Sequence, residues 1–196
     1  METKDGVKTF HARSRAAWRQ WLAKNHQSET SVWLIIYRKE SKTSSVYYPE
    51  AVDEALCFGW IDSKPNKRDE ESYYQFFSKR NAKSNWSKVN KLKVEKLLQQ
   101  NLMMPAGLAI IELAKQSGTW NALHLVDEVM MPDDLQEAFK QDAEALANWE
   151  KFSRSSRRGI LEWIFNAKRP ETRQKRIVQT VILAGQNIKV NHPIAK

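Results

Sequence analysis

The chain reads as an α+β protein, a small antiparallel sheet packed with helices followed by an all-helical C-terminal region. Three observations carry this reading. Two aromatic, β-branched runs, SVWLIIYRK at 31–39 and SYYQFFS at 72–78, sit among helical patterns in the first half. Beyond residue 101 no strand pattern occurs, and amphipathic stretches opened by Pro or Ser follow one another with short polar breaks. The hydrophobic share of 41%, with eight Trp, is enough to bury a core in 196 residues. We therefore expect an α+β domain over 1–101 and a helical domain over 102–196.

The elements follow in order. Ser14 is a natural N-cap, and Trp18, Trp21 and Leu22 fall at i, i+3 and i+4 behind it, with Arg15 and Arg19 on another face. This helix should end near Asn25. SVWLIIYRK is too short for a good helix and reads as a buried strand, and KTSSVYYP as a loop or short strand closing at Pro49. Pro49 opens a helix with acids in its first turn and Gly59 at its end. WIDSK and SYYQFFS then read as antiparallel strands joined by the polar turn PNKRDEE, with aromatic bulk on both faces of the second strand. A helix is expected from Ser84 or Asn85 to about Asn101, with Trp86, Val89, Val94 and Leu97 inward. MMPAGLAIIELAKQSG reads as a Pro-initiated, Gly-terminated helix. Four more are expected at Pro132, in AEALANWEKF, in SSRRGILEWIFNAK, and from Pro170 to Gly185.

The net charge of +9 invites a nucleic-acid reading, but its distribution weakens that reading. Residues 112–186 hold 11 bases and 11 acids, as expected of acidic and basic helices packed side by side. The local excess lies at 79–96, where Lys79, Arg80, Lys83, Lys88, Lys91, Lys93 and Lys96 face only Glu95. No nucleic-acid-binding motif accompanies it. The opening METKDGVKTFHARSR has no apolar signal core, and no window approaches the ~18 apolar residues of a spanning helix. A cytoplasmic protein without membrane insertion is expected. Cys57 is the one cysteine, so an internal disulfide is impossible. His11, His26, His124 and His192 stand too far apart in sequence for a metal motif, and neither metal nor cofactor is expected.

Three groups of residues offer chemistry. Cys57 ends a helix, where the dipole opposes a thiolate, and lies between Leu56 and Phe58, so it reads as a nearly inaccessible core residue. Glu54 and Asp62 form a candidate acid/base pair, since the adjacent Asp53 splays away from Glu54 by about 100° on the helix. The best binding candidate is the basic block. There Ser84, Asn85 and Ser87 would open a helix whose free N–H groups attract an anion, and Lys79, Arg80, Lys83 and Lys88 would complete the cradle. Trp60 or Trp86 would supply a stacking face. No catalytic residue is assigned. A small anionic ligand or a protein partner is expected, with the alternative of a protein or nucleic-acid interaction module using Arg157, Arg158 and Arg173. On the last helix, Arg173 and Arg176 should pair with Glu162 or the acids of 133–150, or stack on Trp163.

Two blocks carry a family resemblance across nearly the whole chain. ALCFGWID with the later FSKRNAKSNWSKVNK is one. The other is WEKFSRSSRRGILEWIFNAKRPETRQKRI, in which Phe152, Arg157, Trp163, Ala167, Lys168, Pro170, Glu171, Thr172, Arg173 and Arg176 keep a family order. Both resemble the YdeI/OmpD-associated proteins, a family linked to bacteriocin protection and to association with an outer-membrane porin. The resemblance implies a fold and no agreed chemistry. Where members have Pro in the basic block, this chain has Ser78-Lys79-Arg80. The first part also resembles small CyaY-like α+β proteins, some of which bind iron through acidic first helices. Here that helix is basic, with Arg13, Arg15, Arg19 and Lys24, so iron chemistry does not carry over.

Overall fold

The computed structural model describes residues 2–190; His192 and the end of the helical domain lie outside the described residues. The chain divides into two compact units, Met1–Asn121 and Ala122–Lys196. The α+β class holds, with the sheet in the first unit.

That sheet has five strands in the order β1-β2-β3-β5-β4. Strands β1 (Thr3–Lys4) and β2 (Val7–His11) were not expected from the sequence. They form a hairpin whose two-residue loop, Asp5-Gly6, has positive φ at both positions, 51° and 75°. A primed turn of this kind matches the twist of the flanking strands. Helix α1 (Arg15–Asn25), capped by Ser14, then carries the chain over to β3 (Ser31–Tyr37), which pairs parallel to β2. Parallel neighbours need such a crossover, so the sheet is mixed; every other pair is antiparallel.

Helix α2 (Tyr48–Cys57) precedes β4 (Trp60–Lys67), which pairs with β5 (Ser72–Lys79). β4 runs three residues further than expected, through a register irregularity between Asp62 and Pro65. Pro65 lacks an N–H, and an edge strand with an irregularity tolerates that loss. Asp69 closes the shortened turn, its Oδ1 accepting from the Glu71 and Ser72 N–H groups.

One face of the sheet, with Val32, Leu34, Ile36 and Phe77, buries against the helices; Trp18, Leu22, Leu56 and Trp60 complete that core. On the opposite face Trp33 is covered by Phe76 edge-on at 4.8 Å and by the ammonium groups of Lys4 and Lys64. Helix α3 (Lys88–Gln99) turns Val94 and Leu97 inward, whereas Val89, expected inside, is 63% exposed. Helix α4 (Pro105–Gln116) packs on α2 within the same unit.

In the second unit, short α5 (His124–Asp127) and α6 (Asp133–Phe139) precede α7 (Ala143–Lys151), α8 (Arg154–Phe165) and α9 (Pro170–Gly185). Leu135, Phe139, Trp149, Ile160, Ile164 and Ile177 make its separate core. Its arginines meet the expected kinds of partner. Arg173 pairs with Asp134 at 2.6 Å, and the Arg176 guanidinium lies 4.8 Å from the Trp163 ring centroid. Arg158 pairs with Asp127 and Glu162. No helix among the described residues is long and apolar enough to cross a membrane.

Candidate functional site

Two of the sequence candidates are engaged by neighbouring side chains. Glu54, on the buried face of α2, is only 2% exposed. Its Oε1 accepts from Arg15 Nε at 2.5 Å and its Oε2 from Arg19 Nη1 at 2.6 Å. Arg15 and Arg19 stand one turn apart on α1, so the basic helix clamps a single buried carboxylate, and Arg19 also donates to Leu102 O. A buried charge is tolerated when paired and hydrogen-bonded on this scale. Asp62 has a different partner, accepting from the Tyr48 hydroxyl at 2.6 Å. Burial and then that bond push the Tyr48 phenol up. Cys57 is fully buried, and burial, reinforced by the nearby Glu54 charge, pushes its thiol up to about 11.

The basic block is arranged differently from the expected cradle. α3 begins at Lys88 rather than at Ser84 or Asn85, because Ser87 is the extended N-cap and its hydroxyl accepts from Asn90 N. The preceding residues turn earlier, with Asn81 Oδ1 accepting from Lys83 N. That turn drives Trp86 into the core at 1% exposure, where its ring faces Arg80 at 3.7 Å. Trp60 is equally buried. Lys83, Ser84 and Lys88 are exposed, and Asn85 and Ser87 half-buried.

Arg80 is the exception in this block. It is 7% exposed, it makes no ion pair among the described residues, and its Nη2 donates to Asn85 O at 2.6 Å. Its buried Nε has no hydrogen-bond partner among the described residues. Burial pushes its guanidinium down to about 10, with Asp62 opposing the shift, so it remains a cation at neutral pH.

Arg80 borders a cleft of about 360 Å³ that opens between the end of β5 and α4. Lys79, Arg80 and His26 supply its polar side, with Gly59 and Trp60 beside them. Ala106, Ala109, Ile110 and Leu113 form the apolar wall. Lys79 Nζ donates to Gln27 O at 2.7 Å, and His26 Nδ1 bonds Leu22 O, which leaves Nε2 as its other ring nitrogen. Thus Lys79, Arg80 and Trp60 come together at one cleft, whereas Lys83, Ser84, Asn85, Trp86, Ser87 and Lys88 do not line it. The α4 wall escaped sequence reasoning, although its residues recur at i, i+3, i+4 and i+7, the stripe of one helix face.

The fold defines the class: a five-stranded sheet unit backed by helices, with a cation-edged cleft, followed in sequence by a helical unit. Residues 10–110 match the family described as a domain of unknown function (DUF8412), and because this match takes in more than half of the sequence, the chain belongs to that family. Residues 128–187 match the family described as "Bacteriocin-protection, YdeI or OmpD-Associated", which bears out that resemblance for the helical unit. The CyaY-like likeness of the first part is not supported; the matching family there is DUF8412. The ALCFGWID and FSKRNAKSNWSKVNK block thus falls within the DUF8412 match. Comparison with curated proteins and with solved structures finds no match.

Proposed function

We propose that the protein is a non-catalytic, cytoplasmic binding protein whose first unit holds a small amphipathic anion in the cleft between β5 and α4. The carrying observation is Arg80, a guanidinium held nine-tenths buried at the edge of a cleft without a carboxylate partner among the described residues. Buried charges are ordinarily paired. A ligand carboxylate or phosphate would provide the missing partner, with a charge-assisted bond contributing about 1.5–3 kcal/mol. Lys79 and the His26 ring stand on the same side. The volume is at the small end of ligand pockets, which run ~300–1,000 Å³, and the Ala106–Leu113 wall fits an apolar body rather than a sugar or peptide. Glu54, Asp62 and Cys57 are engaged or buried elsewhere, which favours binding over catalysis at this cleft. The alternative interaction module draws less support, since Arg158 and Arg173 are already paired with carboxylates.

Thermal shift across a graded panel tests the reading. Benzoate and octanoate should raise the melting temperature more than acetate, and benzamide and octanol should not. Ala109→Trp fills the cleft without removing a charge and should abolish the shift. Equal responses to the neutral analogues, or an undiminished shift in Ala109→Trp, would overturn it.

A further inference from the structure

A second surface of the first unit, remote in sequence from the basic block, has its own ligand-like chemistry. The loop after β3 carries Arg38, Lys39 and Lys42, and Arg13 reaches the same place from the residues ahead of α1; together they border a basin of about 260 Å³. All four are exposed, and none makes an ion pair among the described residues. The four cations outnumber the loop's own acid, the exposed Glu40, and repel one another, a cost that an anion relieves. The rest of the lining is rich in hydroxyls, from Ser41 to Ser45.

The loop is pinned on both sides. Ser45 Oγ accepts from Tyr37 N at 3.1 Å, Val46 N donates to Ala12 O at 2.9 Å, and His11 Nε2 bonds Ser44 O at 3.0 Å. Two further acids stand close, Glu71 beside the basin and Glu50 in the lining of the adjoining trough. Glu71 accepts from Ser41 Oγ, and Glu50 from Tyr47 N in the cap of α2.

The basin is continuous, through Tyr37, Arg38, Lys39 and Tyr47, with a trough of about 540 Å³ walled further by Tyr48 and Tyr73. Tyr47 and Tyr48 are 50% and 39% exposed, unusual for aromatic rings side by side on a helix start. The Lys39 ammonium lies 5.6 Å from the Tyr47 centroid. A cationic, hydroxyl-lined end therefore adjoins an aromatic trough.

We propose that this composite surface binds a free nucleotide, the phosphate in the Arg13–Lys39–Lys42 basin and the base against Tyr47. The cations are gathered at one end of the trough rather than strung along it, which suits a single phosphorylated ring better than a strand of nucleic acid. This site is separate from the α4 cleft, sharing none of its lining residues.

Titration of the full chain with AMP, ADP, adenosine, inorganic phosphate and a thymidine octamer tests it. ADP and AMP should bind about tenfold or more tighter than adenosine or phosphate alone, since stacking and phosphate capture act together. Lys39→Gln with Lys42→Gln, both on the exposed loop, should lose that margin. Tyr47→Leu should weaken nucleotides while leaving phosphate unchanged, and Ala109→Trp should leave nucleotide binding intact. No nucleotide binding, nucleotides equal to phosphate, or an octamer preferred to ADP with a steep salt dependence would each overturn the proposal.

Discussion

An added methyl at Gly107 would lie 2.3 Å from the carbonyl oxygen of Cys57. The first turn of α4 thus rests directly on the backbone that ends α2, where Met104 N also donates to Cys57 O at 3.0 Å. This contact fixes the apolar wall of the cleft relative to Gly59 and Trp60. Backbone cannot yield as a side-chain tip can, so Gly107→Ala should cost about 2–3 kcal/mol of stability. Gly159, inside α8, meets nothing within 4 Å of an added methyl, and Gly159→Ala should stabilise by about 0.5–1 kcal/mol. Urea denaturation of the two variants checks both signs.

The Glu54 clamp supports a second expectation. Glu54→Gln keeps the shape of the side chain but leaves the Arg15 and Arg19 guanidinium groups without their carboxylate. Glu54 is buried but the two arginines are 38% and 30% exposed, so water relieves part of the loss and the cost should be about 1.5–3 kcal/mol, that of a hydrogen bond to a charged group. A denaturation midpoint equal to that of the parent protein would mean that the clamp contributes nothing net.

Cys57 gives a pH dependence whose sign follows from burial. Its thiol is raised from 9.0 to about 11 in the folded chain, so the unfolded chain releases the proton first as pH rises. The stabilising contribution is complete below pH 9 and is lost as pH climbs through about 11. Between about pH 8 and about pH 10 the parent protein should lose about 1.4 kcal/mol more than Cys57→Ala does. Thiol reagents should label the native protein slowly and the unfolded protein fast. Rapid native labelling at neutral pH would contradict the burial.

Much of this fold was legible in the sequence, and the reasons for the exceptions are physical. α1, β3, α2 and the C-terminal helices announce themselves through Ser14, Pro49, Pro170 and the aromatic periodicity. β1 and β2 did not, because VKTFH is short and half polar; Asp5-Gly6 between β-prone residues was the available signal. Val89 misled because, five residues before Val94, it stands about 140° round the helix from it and so off the face that Val94 and Leu97 turn inward. The site was harder to read. The sequence places Lys79, Arg80 and Trp60 only within a larger cradle whose other members do not line the cleft, and that Arg80 turns inward onto Trp86 depends on a turn at Asn81 with no periodicity to reveal it. The Glu54 clamp joins residues thirty-nine and thirty-five apart in sequence, beyond the reach of local spacing.

Ion pairing in the helical unit should be modest. Arg173 and Asp134 are both partly exposed, and the Arg173 guanidinium holds the Asp134 carboxyl below its usual range. Asp134→Asn should therefore cost about 0.5 kcal/mol near neutral pH, a difference that shrinks as the parent carboxylate protonates in acid. Comparing the two proteins by urea unfolding near neutral pH and in mild acid measures it. A difference that grows toward acid would assign the stabilisation to another group.

The most direct measurement of the proposed binding role is a titration of isotope-labelled full-length protein with benzoate, followed residue by residue by NMR. Saturable shifts are expected at Gly59, Trp60, Lys79, Arg80 and Ile110, and they should vanish in Ala109→Trp. Shifts confined to the exposed Lys83–Lys88 surface, or none that saturate, would contradict the account.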